Sequence, residues 1–369
     1  MKLLMITGDR SILRPRNQSA FALMLEELRH HFERIDILCP RGIVDVREVR
    51  SLHGNVFVHA STTGRFGQPF FLRDRGAALI AAHKHDVMSV HDYPPFLNGW
   101  GARMLKAKTG IPMEMEIHHI VGWPVAATLF EWVGRSLTKR YIAAHSAHFD
   151  RVRVVNATVK ATLKSWGVPA EKIRIVPSVY LDHAIVDTAR NQQKKYDMTF
   201  AARLVDNKGL MEVIDALGEM PGKTLRIIGD GPLRADAEAH VRTHGIADRV
   251  TFSGWIPTAE AYAAAVAEGH IFLMNSKSEG NPRVAVEAMA LGLPVVATKV
   301  GIMPDLVEDG VNGVFTDGTA TDIVAKAGRL LADPALMSRL GAAAERVKDR
   351  FEKKSAIKAY ADFLKSLSR

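Results

Sequence analysis

A single cysteine in 369 residues, Cys39, rules out an intrachain disulfide and suits a reducing, cytosolic compartment. Cys39 closes an apolar run, so it reads as a small core residue. No run of about 18 apolar residues occurs, so no membrane-spanning helix is expected, although hydrophobic residues make up 47% of the chain. Met1-Lys2-Leu3-Leu4-Met5-Ile6 starts as a strand and not as a signal peptide. Neither half opens with Gly-x-Gly-x-x-Gly, which disfavours a dinucleotide dehydrogenase. No two aspartates stand two residues apart, so an Asp-x-Asp metal loop is absent. His83, His85 and His91 lack the spacing of a tetrahedral site and no cysteine joins them, so no metal is expected. Internal repeats and low-complexity segments are also missing.

Charge is unevenly placed. Residues 1–180 carry 25 Lys and Arg against 15 Asp and Glu, net +10, whereas residues 181–369 carry 24 against 25, net −1. A basic half can serve nucleic acid, but no basic helix with interleaved aromatics or known binding module is present. A basic half also suits an anionic membrane surface. The segment Glu131–Tyr141 reads as a basic, aromatic-bearing surface helix or as a plain solvated one.

Short apolar runs alternate with helical patterns, which predicts parallel α/β architecture, and the length favours two domains. Strands are expected at Leu3–Thr7, Ile35–Cys39, Val56–His59, Val87–Val90, Met113–Ile117, Val152–Val155 and Ile173–Val176 in the first half. The second half offers Met198–Ala201, Leu225–Ile228, Val250–Phe252, Ile271–Met274, Val295–Ala297 and Gly313–Phe315. The polar stretch between Asp182 and Lys195 reads as an interdomain linker. That predicts domains over 1–182 and 196–352, with a helical tail over 353–369.

Chemistry concentrates at Ser278-Glu279-Gly280-Asn281-Pro282-Arg283 and the apolar helix that follows, closed by Gly292. Pro282 fits a first helical position because it has no N–H to leave unpaired. The loop then offers the backbone N–H groups of Gly280, Asn281 and Arg283 beside a positive helix end, an anion site. Glu279 falls in the loop and Glu287 about one and a half turns into the helix. Two carboxylates around an anion site suit a ligand with phosphates and hydroxyls, such as a nucleotide sugar. Arg203 and Lys208 follow another buried strand, where a guanidinium fork and a point charge can meet diphosphate oxygens.

The Glu279-x7-Glu287 block resembles the retaining GT-B glycosyltransferases of the glycogen-synthase-like family 4, the glycosyl transferases group 1. Phe200–Gly209, Ile227–Leu233, Val250–Gly254, Leu293–Thr298, Gly301 and Asp309–Gly313 extend the likeness, in order, over about residues 197–315. The resemblance implies two Rossmann-like domains facing each other across a cleft, with the C-terminal tail crossing back to the first. It implies a UDP-, GDP- or ADP-sugar donor in the second domain, an acceptor in the first, retention of configuration, and no cofactor or metal. Arg203 and Lys208 would meet the diphosphate, Glu287 the ribose hydroxyls and Glu279 a sugar hydroxyl. Gly254 would lie against the base, and Gly280, Asn281, Pro282 and Arg283 would border the donor. His118, directly after the Met113–Ile117 strand, would sit near the reaction centre, with His119 the weaker candidate. The family's glycine pair after the first strand is reduced here to Gly8, with Arg10, Arg14 and Arg16 keeping that loop basic. Arg283 is unusual for the family and reads equally as a contact to phosphate or an acidic sugar, or as a first-turn cap.

The expectation is a hexosyltransferase of cell-envelope polysaccharide or glycolipid synthesis, cytosolic and at most peripheral on the membrane, with a glycan or lipid-linked acceptor; because the resemblance puts the acceptor in the basic first half, an anionic one is expected. A nucleotide-sugar 2-epimerase and a non-catalytic nucleotide-binding subunit are the alternatives.

Overall fold

A computed structural model describes residues 1–13, 19–42, 50–126 and 128–368. Arg14 and Arg16 lie outside the described residues. The chain divides into two compact units: Met1–His118 with Gly134–Ser178 and Lys354–Arg369, and His119–Val133 with Val179–Lys353.

The first unit holds an eight-stranded sheet. In chain order its strands are β1 (Lys2–Ile6), β2 (Arg34–Cys39), β3 (Arg50–Leu52), β4 (Val56–Ala60), β5 (Val87–His91), β6 (Met113–Ile117), β7 (Arg151–Val154) and β8 (Ile173–Ile175). In space they run β3-β4-β2-β1-β5-β6-β7-β8, all parallel except the β3–β4 pair. The second unit holds a parallel six-stranded sheet of β9 (Tyr196–Ala201), β10 (Leu225–Ile228), β11 (Val250–Gly254), β12 (Gly269–Met274), β13 (Val295–Thr298) and β14 (Gly313–Thr316). Its order is β11-β10-β9-β12-β13-β14.

Every strand expected from the sequence is present; β3 alone is additional among the described residues, because three residues give no readable period. Leu3, Leu4 and Ile6, or Phe272 and Leu273, are almost fully buried, as continuous apolar runs in parallel sheets must be when helices cover both faces. In each sheet the connections leave a central strand in opposite directions, at β1/β5 and at β9/β12. Such switch points open crevices at the carboxyl ends of the strands.

The segment read as a polar linker is in part helical. Helix His183–Ala189 is capped by the Asp182 carboxylate, which accepts from the Ala184 N–H, and it buries Val186 and Ala189 in the second unit's core. Two apolar anchors in seven residues are too few to show a period.

β6 departs from the apolar rule. Glu114 and Glu116 alternate along one face and are buried beneath Tyr360 of the helix Lys353–Lys365, which belongs to the first unit. Across the ladder Glu116 lies beside His91 on β5 and Arg153 on β7. Arg153 Nη1 donates to Glu116 Oε1 at 2.8 Å, and the Tyr360 hydroxyl donates to the same oxygen. Ser89 Oγ lies 3.1 Å from the Tyr360 hydroxyl, and the Arg153 guanidinium covers the Tyr360 ring at 3.9 Å. Arg153 also donates to the carbonyls of Val176 and Pro177. Burial opposes charge on Glu116, but Arg153 and His118 outweigh it and hold this carboxyl well below the usual range.

Glu114 has no full hydrogen bond to either oxygen, and burial together with the Glu116 charge pushes its carboxyl well above the usual range. A carboxyl raised by folding contributes stability below its unfolded-state pKa, and that stability is lost as pH rises through the folded value. Glu114→Gln is therefore expected to melt like the parent at acidic pH and at a higher temperature at pH 8. Melting curves across that range check it, and a constant difference between the two proteins at all pH values would refute it.

Candidate active site

In the second unit a cavity of about 180 Å³ opens at the carboxyl ends of β9 and β12. Arg203, Lys208, Asn275, Ser276, Glu279, Asn281, Pro282 and Arg283 are among its lining residues. The switch point at β9/β12 brings Arg203, Lys208 and the Glu279 loop to one place.

Each group is held by local structure. Arg203 lies two residues past the end of β9, is exposed, and makes no ion pair among the described residues. Lys208 closes a short 3₁₀ turn, and Gly209 after it sits at φ +64°. A Cβ at Gly209 would fall 2.3 Å from the Asn275 carbonyl oxygen, so glycine is required for the Lys208 loop to lie against the end of β12. Lys208 Nζ donates to Glu279 Oε1, and Ser276 Oγ donates to the same oxygen at 3.0 Å. Lys208 and Glu279 are thus paired with each other, about four-fifths buried.

The helix Arg283–Ala290 starts one residue later than expected, with Pro282 as its N-terminal flank. No side chain caps it, so its first N–H groups face the Glu279 loop. Gly292, at φ +79°, terminates it as expected. Glu287, in the second turn, accepts from Arg283 Nε at 2.6 Å, and the Arg283 guanidinium covers the Tyr180 ring at 4.9 Å. Arg283 is therefore engaged along its own helix and with Tyr180. Burial opposes its charge, but Glu287 and Tyr180 hold it firmly protonated.

Gly254 ends β11 at φ +65°, and its carbonyl accepts from the Gly229 N–H at 2.8 Å. It does not line the cavity. Gly8 belongs to the first unit, where a Cβ would collide with the Tyr93 hydroxyl at 1.9 Å.

The two adjacent histidines part company. His118 closes the first segment of the first unit; its Nε2 lies 3.0 Å from Glu116 Oε2 and its ring stacks on His91 at 4.7 Å. Burial and the neighbouring His118 lower His91 to about 4. His119 opens the segment that packs with the second unit, and the bridge Pro124–Ser278 fastens that segment beside Glu279. Its ring keeps an accessible edge, yet crowding lowers its pKa, with Glu279 and Lys208 both close enough to act on it. The sequence ranked His119 below His118. The feature that placed it is the chain's crossing between units, which has no local signature.

The histidines weighed for a metal do not gather: His85 Nε2 bonds Asp36 at 2.8 Å while His91 stacks on His118. The metal-sized cluster among the described residues is Asp215, His240 and His244, none of which lines the cavity.

Residues 184–347 match the family described as glycosyl transferases group 1, and residues 18–178 match the glycosyl transferase 4-like domain. The GDP-mannose-dependent alpha-(1-6)-phosphatidylinositol monomannoside mannosyltransferase of Mycolicibacterium smegmatis is 30% identical over 92% of both chains. The lipopolysaccharide core biosynthesis glycosyltransferase LpsE of Rhizobium meliloti is 30% identical over 51% of this chain and 54% of its own. Among solved structures, sucrose-phosphate synthase from Thermosynechococcus elongatus superposes with a TM-score of 0.83 at 20% identity, covering 99% of this chain and 98% of that one. This likeness establishes the fold as GT-B. With a full-length relative at that identity and both halves matched, the chain belongs to the glycosyl transferases group 1 family.

Proposed function

We propose that this glycosyltransferase moves a sugar from a nucleoside-diphosphate sugar to an acceptor hydroxyl, with retention and without a metal, in cell-envelope glycolipid or polysaccharide synthesis. The observation that carries this is the convergence of Arg203, Lys208 and the Glu279–Arg283 loop on one cavity beside an uncapped helix start. Two cations and a helix N-terminus supply what a departing diphosphate needs, charge stabilisation placed where charge develops. No carboxylate is placed as a clear nucleophile. The reaction then proceeds on one face: the bond from the anomeric carbon to the diphosphate oxygen breaks as the acceptor oxygen bonds to the same carbon. The departing phosphate oxygen takes the acceptor proton. A trapped glycosyl-enzyme intermediate would exclude this route.

Diphosphate entering the cavity competes with Glu279 for Lys208, which frees the Glu279 carboxylate for a donor-sugar hydroxyl. Glu287 must likewise exchange its Arg283 bond for the ribose diol, or share it. The names of the relatives, one GDP-mannose-dependent and one of lipopolysaccharide core synthesis, support the process assigned here. Among the described residues no helix is long and apolar enough to cross a membrane. Helix Leu129–His145 exposes Phe130 and Leu137 together with Lys139 and Arg140, which suits peripheral contact with an anionic bilayer at its cytosolic face.

Thermal shift with UDP-, GDP- and ADP-sugars, each with and without EDTA, tests the reading. A ligand at a hundred times its Kd stabilises by about 2.7 kcal/mol, so one base is expected to raise Tm clearly and equally in EDTA. Glu287→Ala is expected to shrink that response. No response to any nucleotide sugar would leave a binding-dead GT-B protein.

A further inference from the structure

Away from the cavity, three side chains of the second unit converge on a single point. Helix Arg234–Thr243 carries His240 and ends at His244, and the preceding helix, Leu210–Gly218, carries Asp215. Four residues apart, the two histidines share one face of their helix. The His244 N–H donates to the His240 carbonyl at 3.0 Å, so the turn that presents both is closed. The neighbouring helix brings Asp215 against them. His240 Nε2 lies 2.6 Å from Asp215 Oδ1, and His244 Nε2 lies 3.1 Å from the same oxygen.

The imidazole rings stand edge to face with centroids 4.5 Å apart, and all three polar atoms lie within 4.8 Å of one another. Gly218 gives the His244 ring its room. A Cβ there would sit 3.2 Å from His244 Nδ1, so glycine lets the ring lie against the end of the Leu210–Gly218 helix with Nε2 turned to Asp215. The face is open to solvent, His244 most of all.

We propose that His240, His244 and Asp215 bind a divalent transition ion, zinc being the probe, which pins the two helices together. Two imidazoles and a carboxylate are a zinc donor set, whereas magnesium and calcium prefer oxygen ligands alone. Ligands about 2.1 Å from a tetrahedral zinc stand about 3.4 Å apart, so the trio opens by roughly 1 Å or less to admit the ion. Each imidazole then binds through an unprotonated Nε2 and carries its proton on Nδ1. Water completes the fourth position. Hydrolytic zinc helices with this histidine spacing carry Glu directly after the first histidine. Here that position is Val241, which is buried, so the general base is missing and the ion serves structure. None of the three ligands lines the cavity at β9/β12, so the ion stands outside the transfer chemistry. It steadies the helix that directly follows the Lys208 loop, with Gly209 as its flank.

Calorimetric titration of the metal-stripped, tag-free full chain with Zn²⁺ and with Mg²⁺ tests this. One Zn²⁺ per chain is expected to bind in the micromolar range or tighter, with no response to Mg²⁺. His240→Ala and His244→Ala should each weaken Zn²⁺ by at least about tenfold, the least that losing even an outer partner of a metal ligand costs. Asp215→Asn should weaken it too while melting like the parent in EDTA, which separates lost coordination from lost folding. The double variant His145→Ala/His148→Ala removes a histidine pair of the first unit, with rings 6.1 Å apart, and should leave Zn²⁺ binding unchanged. Hydrogen exchange should show Zn²⁺ raising protection in Leu210–Gly218 and Arg234–Thr243 and leaving the first unit's sheet alone. EDTA should remove the gain in Tm from Zn²⁺ without altering the increment from a nucleotide sugar. Absence of Zn²⁺ binding, binding that survives both single histidine variants, or binding lost in the His145/His148 variant would each overturn the site. Binding without added protection in the two helices would overturn the pinning.

Discussion

Arg203→Ala is expected to lower kcat by about 100-fold or more, and Lys208→Ala by a similar factor, on the scale of removing one group that stabilises transition-state charge. At 1.36 kcal/mol per factor of ten this is roughly 3 kcal/mol of barrier for each. Arg203 gives the cleaner experiment. It pairs with nothing among the described residues, so its removal strands no partner, and any loss reports its contact with substrate. Lys208 neutralises Glu279, so Lys208→Ala also leaves a carboxylate at the cavity wall facing an incoming diphosphate. It should therefore raise KM as well as lower kcat, and Lys208→Arg should recover mainly the KM part, because a guanidinium restores charge without restoring geometry. A rise in KM alone for both alanine variants, with kcat intact, would mean uniform ground-state binding and reject the diphosphate assignment.

How far the sequence led depended on whether a feature was local. Parallel strands buried on both faces are written as apolar runs, and the glycine that ends the Arg283–Ala290 helix needs only its φ +79° position. Arg203, Lys208 and Glu279 could be singled out because each lies in a segment that follows a strand, where α/β sheets place ligands. Pairings between distant segments were not legible. Nothing local says that Lys208 meets Glu279, 71 residues away. The Arg283–Glu287 bond is local, and its i, i+4 spacing alone predicts it. Met113-Glu114-Met115-Glu116-Ile117 has the alternation of a strand wet on one face. Its acidic face is dry because the final helix, some 240 residues later, lies over it.

That dry face carries the largest expected stability effect. Arg153→Met should destabilise the first unit by about 3–5 kcal/mol, the range for breaking a buried ion pair from one side. Arg153 is buried, bonds Glu116 at 2.8 Å, and fixes the Val176 and Pro177 carbonyls. Without it Glu116 keeps only the Ser89 and Tyr360 hydroxyls and His118 as partners, beside a second buried carboxyl. Glu116 would then bind a proton or draw in water, and Tyr360 would lose the charge that holds its hydroxyl, loosening the helix Lys353–Lys365. Hydrogen exchange resolves this better than a single melting curve, because a chain with two compact units need not unfold in one step. Protection should fall in β6, β7 and that helix, and change little in β9–β14. The pH dependence has a definite sign. Glu116 is held below its ordinary value, so its contribution is present above the unfolded-state pKa and lost as pH falls through the folded one. The parent should therefore weaken on acidification more steeply than Arg153→Met, and the two should converge at low pH. The double variant Glu116→Leu/Arg153→Met should recover much of the loss, since replacing a whole buried pair by apolar groups is often neutral. An Arg153→Met protein as protected as the parent at neutral pH would mean that the pair is solvated, and that the final helix is held by Ile357 and Leu364 packing alone.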